Sequence, residues 1–391
     1  RAAPIGEKYY QEKGAAFFQD RVLQSPGNFT AAKLKWVQQH EPELFYQVAH
    51  MMLPGDYLAA KFSGVAQTSK SGLSEAALWD FKKNALAQEV LDALDLPYAV
   101  IPEVVANFSH QATIAPQIAE RLGLSKDVAI TYRAGDQPNN ALALNVNQPG
   151  EIATTAGTSA VIYSVTDQDA FDTENRINTF LHVNNTEAQK RNGVLLCING
   201  SGILYQWLRK ILSTGKDELL SYDFLNAQAA QAGPGSAGLN FYPFGNGVER
   251  IFNNKKSFSG LQNLDFNRHG ATHMVRAACE GIVYAMNYGF EVMQHIGAGG
   301  HSVKATKANL FLSPVFREIF VNTTQTTLAL YKTNGAEGAA RGAAHGYGFY
   351  TSLDESAHGL VLLSTQEPQP ELKQQYTDLY QTWKNNIQII E

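Results

Sequence analysis

The sequence predicts an α/β protein in two lobes, and three observations carry that prediction. Segments with helical periodicity alternate with short β-branched runs bounded by turn residues. The chain has 391 residues, 44% of them hydrophobic, enough for more than one core at about 150 residues per domain. The texture also changes after Pro149 and Gly150, from mainly helical to strand-rich.

Taken in order, the chain opens on helix-forming residues. Arg1 is not a methionine and its followers read as the interior of a helical stretch, so further sequence upstream is expected. Residues 29–50 are predicted helical: Leu34, Trp36 and Val37 recur on one face, and Pro42 begins a second helix after His40 because proline suits a first turn. Residues 75–93 are expected to form an amphipathic helix, with Ala76, Ala77, Trp79, Phe81, Ala85 and Val90 on its apolar side. Residues 127–132 read as a short strand that ends in the Gly135 turn. We therefore expect a first lobe over 1–147 and a second over 148–391.

In the second lobe, 151–155, 160–165 and 193–198 are strand candidates separated by glycine-rich or polar turns. Met274, Ala278, Ile282, Met286 and Phe290 at four-residue spacing predict one long helix. Residues 314–330 and 336–347 are predicted as further helices. No internal repeat or low-complexity tract is present.

Composition excludes several functional classes. With 31 basic and 36 acidic side chains the formal charge is −5, and no Lys/Arg-rich run offers a nucleic-acid surface, so a small-molecule partner is expected. No apolar run reaches the roughly 18 residues of a membrane span, and the first residues lack a signal-peptide core, which predicts a soluble, cytoplasmic protein. Cys197 and Cys279 stand far apart without a CxxC pattern or a nearby histidine pair, and are expected to be buried thiols. Walker A, GxSxG and HExxH patterns are missing from the sequence, and no GxGxxG stands in a dinucleotide-binding context followed by an acidic residue.

Two segments carry chemistry. Asp136, in AGDQPNN, follows a strand candidate and precedes a helix, where α/β folds put ligands; it can take a proton from a substrate hydroxyl or simply cap the helix. Gly157, Thr158 and Ser159 lie between two strand candidates. Gly157 permits positive φ, and the turn can cradle phosphate oxygens or serve as a plain hairpin.

Together with GSGILYQWLR at 200–209, these segments resemble the FGGY carbohydrate kinases, and GDQPNNAL is most similar to their xylulokinase-related branch. Upstream, AKLKW at 32–36, LPGDYL at 53–58 and SGLSE at 71–75 with Trp79 and Asp80 resemble the family's PKLLW, LPxDYL and SDASGT segments. Downstream, GVER at 247–250, SGL at 259–261, HMVRAACEG at 273–281 and EGAARGAA at 337–344 resemble further family signatures, collinear almost from end to end.

The resemblance implies an actin-like, ribonuclease H-like two-lobe fold with ATP and Mg²⁺ in the cleft, and transfer of the γ-phosphoryl group to a sugar hydroxyl, most simply D-xylulose. It implies Asp136 as the base, with a water-mediated contact to magnesium, and Gln137 as a sugar ligand. Gly157, Thr158 and Ser159 would hold phosphates, and Gly202 would let backbone approach the nucleotide. Phe29, with Asn28, falls where relatives place an aromatic beside the sugar. A homodimer is compatible with the family.

Departures from the pattern qualify these expectations. The family's opening DxGT-type segment, whose Asp helps hold magnesium, is not present before Arg1, so the chain is expected to be incomplete, to lack the leading strands of its first lobe, and to be inactive alone. Where members carry GGGAxS, this chain has ATKANLFLS at 305–313, and Asn309 and Ser313 become the candidate nucleotide contacts. Gly299 and Gly300 do not align there on spacing. The long interval from Leu261 to His273 reads as a loop insertion. Trp36, Trp79 and Trp207 are expected to pack in cores, Trp383 to dock the C-terminal segment, and His269 and His273 to be structural. Glu249 and Arg250 are expected to pair as ions at the cleft edge, and Asp56 to cap a helix or form a salt bridge. Kinases for gluconate, ribulose or glycerol, and a nucleotide- or sugar-binding protein without turnover, are the alternatives.

Overall fold

The computed structural model describes residues 1–25, 27, 29–300 and 302–390. They form two compact units, and neither is one continuous stretch. The first unit comprises Arg1–Pro149, Val165–Val194 and Thr333–Leu360; the second comprises Gly150–Ser164, Leu195–Lys332 and Val361–Glu391. The single boundary expected at 147/148 is thus only the first of several crossings. Local periodicity marks a segment as helix or strand but does not say on which core it packs.

In the first unit, helices Ala3–Lys13, Ala15–Arg21 and Thr30–His40 surround a core that includes Phe18, Val22, Leu34, Leu73, Leu78 and Leu91. Trp36 is only half-buried, stacked on His40 one turn later. Pro42 does open a helix, but it ends at Phe45.

The helix expected over 75–93 is four elements instead. Helix Lys70–Glu75 ends, strands Trp79–Asp80 and Ala85–Leu86 pair antiparallel, and helix Gln88–Ala93 follows. Ala77 and Asn84 take positive φ (59° and 49°), which no helix accommodates. Ala76, Ala77, Leu78 and Trp79 are all buried in succession, so their apolar character serves a fully enclosed turn and not one helical face.

Within 127–132 only Ala129–Ile130 pairs as a strand, antiparallel to Ala112–Thr113. The next helix, Asp136–Ala143, packs against helix Gly335–Tyr347. Small residues make this approach close: a Cβ on Gly338 would lie 2.0 Å from the Asn139 carbonyl oxygen. Arg341 donates to the Ala143 carbonyl at 2.6 Å, satisfying an orphan acceptor at the end of the Asp136 helix. Asn334 caps the Gly335–Tyr347 helix by accepting from the Ala336 and Glu337 N–H groups at 2.9 and 3.1 Å. Asn334→Ala is therefore expected to lower stability by about 1 kcal/mol, read as a shift in the urea midpoint.

The second unit is built on a sheet whose strands run in the order Val361–Gln366, Thr327–Lys332, Ser302–Thr306, Glu151–Ala156, Ala160–Thr166 and Asn192–Ile198. Ser302–Thr306 lies parallel to both of its neighbours, and Glu151–Ala156 pairs antiparallel with Ala160–Thr166. Helix Ala271–His295 supplies the central apolar face, with Ala278, Ile282 and Met286 fully buried. The helix expected over 314–330 stops at Thr324. Gln325 turns left-handed (φ 54°), and the β-branched residues beyond it enter strand Thr327–Lys332.

Trp383 is fully buried and stacked on Tyr242, and its indole N–H donates to the Phe241 carbonyl at 3.0 Å. Trp79 is also buried, but Trp207 is 51% exposed, meeting Phe241 only by an edge. It sits on the outer face of a helix whose Leu204 and Leu208 take the core side. His269 accepts from the Asp265 N–H through Nδ1, and His273 accepts from the Gly270 N–H, so both order the entry to the long helix. Cys279 is buried, whereas Cys197 is only half-buried. No helix among the described residues is long and apolar enough to cross a membrane.

Candidate active site

In the second unit, the Gly157, Thr158 and Ser159 segment is the tight turn of the hairpin that closes on the Ala156 and Ala160 pair. Gly157 does not take the positive φ expected of it. The position where close packing requires glycine is Gly202, opposite the turn. Helix Gly202–Leu212 begins against this turn: the Gly202 N–H donates to the Gly157 carbonyl at 2.9 Å and the Ile203 N–H to the Thr158 carbonyl at 3.2 Å. A Cβ on Gly202 would lie 2.3 Å from the Gly157 carbonyl oxygen. The backbone that Gly202 approaches is thus the hairpin turn itself.

Turn and helix start share a cavity of about 340 Å³, to which Tyr205, Tyr222, Asn309 and Ser313 also contribute. Asn309 takes φ 53°, a left-handed conformation that asparagine tolerates better than most residues. Ser313 is buried; its hydroxyl accepts the Phe316 N–H at 3.3 Å and caps helix Pro314–Thr324. Tyr205 and Tyr222 stack with centroids 6.0 Å apart, and Arg209 lies 4.4 Å from the Tyr222 ring centroid. Sequence reasoning missed this aromatic wall, although Tyr205 lies three residues beyond Gly202 on the same helix.

Glu249 holds the loop that leads into that helix. Its fully buried carboxylate accepts the Asn199 N–H at 2.9 Å and the Gly200 N–H at 2.7 Å. Burial pushes it up to about 7, against the pull of those two hydrogen bonds. The carboxylate is committed to backbone, in place of the ion pair expected with Arg250.

In the first unit, Asp136 is the first residue of its helix and is exposed. Its Oδ1 accepts the Gln137 N–H at 2.8 Å, and the Gln137 side-chain amide donates to Oδ2 at 3.2 Å. Two of about four lone-pair sites are used, which leaves the carboxylate room for a ligand or a metal-bound water. Gln137 is thereby tied to Asp136. Phe29 is half-buried against the unit's own core, edge-on to Phe180, and does not line the cavity beside Asp136. Asn28 lies outside the described residues.

That cavity, about 290 Å³, lies between Asp136, Glu75, Asp56 and Arg133. Asp56 both caps a helix and forms a salt bridge: it accepts the Leu53 N–H and the Thr68 hydroxyl, and faces the Arg133 guanidinium at 3.6 Å. Arg133 donates further to the Gln67 carbonyl and to the Gln111 side chain. Glu75 was invisible as chemistry in the sequence, where it reads as one polar residue of a helix. In the fold, burial and the neighbouring Asp136 push its carboxyl up to about 8.

This shift has a thermodynamic consequence. Between the unfolded value of 4.5 and about 8, the native state keeps the Glu75 proton and the unfolded chain has lost it. Stability must therefore fall as pH rises through that window, with a slope of about 1.4 kcal/mol per pH unit from this group. Urea midpoints across the same window should fall less steeply in Glu75→Gln than in the wild type.

Comparison with known proteins adds to this geometry. The N-terminal domain model of the FGGY family of carbohydrate kinases matches residues 1–143, and the C-terminal domain model matches residues 152–346. The xylulose kinase of Bacillus subtilis is 26% identical over 374 residues, covering 94% of this chain and 71% of that protein. Among solved structures, the xylulose kinase from Rhodospirillum rubrum superposes with a TM-score of 0.87 at 21% identity, over 98% of this chain and 77% of that one. The gluconate kinase from Lactobacillus acidophilus does so with a TM-score of 0.86 at 20% identity, over 98% and 77%. The fold they share with this chain is the actin-like two-domain α/β fold.

Proposed function

The chain belongs to the FGGY family of carbohydrate kinases, and from that premise we propose that it transfers the γ-phosphoryl group of ATP to the terminal hydroxyl of D-xylulose, giving D-xylulose 5-phosphate and ADP. The observation that carries the reading is Asp136, an exposed carboxylate at a helix start, steadied on both oxygens by Gln137 and opening on a cavity. A protein that only binds its ligands has no use for a base held in this way. The choice of acceptor rests on relatives named xylulose kinase at 26% and 27% identity.

Each group then has a defined task. Asp136 takes the hydroxyl proton as the sugar oxygen attacks the γ-phosphorus and the bond to the ADP oxygen breaks. Gln137 steadies the carboxylate and reaches the sugar. The hairpin turn at Gly157, Thr158 and Ser159, with the N-terminus of the Gly202–Leu212 helix, offers backbone N–H groups and a positive dipole end to the phosphates. Asn309 and Ser313 contact the nucleoside, and the stacked Tyr205 and Tyr222 present an aromatic face to the base. Magnesium, which neutralises phosphate charge when ATP is bound, would meet this chain through water at Asp136. A cytoplasmic location fits an enzyme that draws on ATP as donor.

The test is ADP release by the full-length protein in the presence of D-xylulose, ribulose, gluconate, glycerol or no sugar. Stimulation greatest with D-xylulose supports the assignment. Stimulation by gluconate, ribulose or glycerol alone keeps the kinase but changes the acceptor. Nucleotide binding without sugar-dependent release would leave the scaffold as a binding protein.

A further inference from the structure

Glu75 has no part in the reaction just described, yet its position is hard to reconcile with a passive role. It is the last residue of helix Lys70–Glu75, a short helix held by the buried hydroxyls of Ser69, Ser71 and Ser74. Its carboxyl reaches the residue before Asp136: it faces the Gly135 N–H, and a Cβ on Gly135 would lie 2.5 Å from Oε2 and 2.9 Å from Oε1. A side chain at 135 would push this carboxyl away. Oε1 is buried and accepts no hydrogen bond among the described residues. With Oε1 buried and unpartnered, and with Asp136 and Asp56 as neighbouring acids while Arg133 is paired with Asp56, the charged form of Glu75 is disfavoured. A neutral acid is not: one oxygen faces the Gly135 N–H, and the O–H remains to donate into the cavity that Glu75 shares with Asp136.

We propose that Glu75 is a positioning residue for Asp136, a carboxylic acid that keeps its proton throughout turnover and fixes, through Gly135, the angle at which the base meets the acceptor hydroxyl. Asp136 alone takes up the proton of the reaction. Glu75 braces the turn that presents it, and its uncharged state keeps a second anion away from the site where phosphate charge arrives. The kinetic part of this inference rests on the kinase reading, while the protonation state does not.

Three variants and two readouts test it. Glu75→Gln preserves an acceptor for Gly135 and a neutral donor toward the cavity, and is expected to keep kcat within about threefold of the wild type. Glu75→Ala leaves the turn unbraced and Glu75→Asp withdraws the carboxyl by one methylene. Each should lower kcat by about tenfold or more, with KM for ATP unchanged. Infrared difference spectra of wild type against Glu75→Gln at neutral pH should show one protonated carboxylic-acid carbonyl band, whether or not any sugar is a substrate. A missing band, or Glu75→Gln as impaired as Glu75→Ala, would mean that Glu75 acts as an anion and would overturn the proposal. So would full kcat in a folded Glu75→Ala. If the wild type shows the band but no sugar stimulates it, the kinase reading fails and the protonation state of Glu75 stands.

Discussion

Replacing Asp136 by asparagine is expected to lower kcat for sugar phosphorylation by about 10²–10⁴-fold while leaving KM for ATP nearly unchanged. Asparagine has the same shape and can still accept the Gln137 N–H through Oδ1, so the start of the helix should survive. What disappears is basicity: an amide cannot take the hydroxyl proton as the new P–O bond forms. Nucleotide binding should change little, because the cavity lined by Gly157, Gly202, Tyr205 and Asn309 contains no part of Asp136 and an amide oxygen can still accept from a magnesium-bound water. Steady-state kinetics with both substrates varied would separate the two parameters. Unchanged kcat in a folded Asp136→Asn protein would remove this residue from the chemistry.

Gly202→Ala is expected to weaken ADP binding by about tenfold to a hundredfold, the equivalent of 1–3 kcal/mol of overpacking. The added Cβ would lie 2.3 Å from the Gly157 carbonyl oxygen, and that atom belongs to the backbone of a tight turn. Neither side can yield by rotating a side chain. Helix start and hairpin must separate, which breaks the two N–H to carbonyl bonds that join them and displaces the amides offered to phosphate. Calorimetric titration with ADP reads the loss directly. Wild-type affinity in this variant would show that the hairpin and the helix do not form a phosphate site. Asn309→Ala, by contrast, trades a tolerated left-handed residue for a less tolerant one and should show a smaller effect.

Some of this was legible in the sequence because the signal is local. Asp136 announces itself by lying between a short extended segment and a helix, and the Gly157 to Ser159 turn by lying between two β-branched runs; the fold places both as hairpin or helix-start residues. The long helix over Met274 to Phe290 was legible because a one-sided apolar repeat has few other solutions. The stretch from Ala76 to Trp79 misled for the converse reason. Residues buried on every side carry no period, and a run of small apolar residues can then be read as a helical face. Glu75 could not be read as special, since its meaning depends on Gly135, sixty residues further along the chain. Trp207 shows the limit from the other side, because hydrophobicity alone does not say which side of a helix faces solvent.

The interleaving of the two units bears on how the protein is made. A ribosome delivers the chain in order, and the segment Thr333–Leu360, whose helix packs on the Asp136 helix, leaves it only after nearly all of the second unit has been synthesised. The smaller apolar cluster of the first unit, where Ala339, Ala343 and Leu353 pack on Tyr132, Leu142 and Val183, therefore stays open until late in translation, whereas the larger cluster around Phe18, Leu73 and Leu91 is complete once Leu181 has been made. Contacts between segments so distant in sequence form slowly, and apolar surface stays open in the interval. A fragment cut near 147 is therefore expected to expose Tyr132 and Leu142, which circular dichroism and dye binding would report.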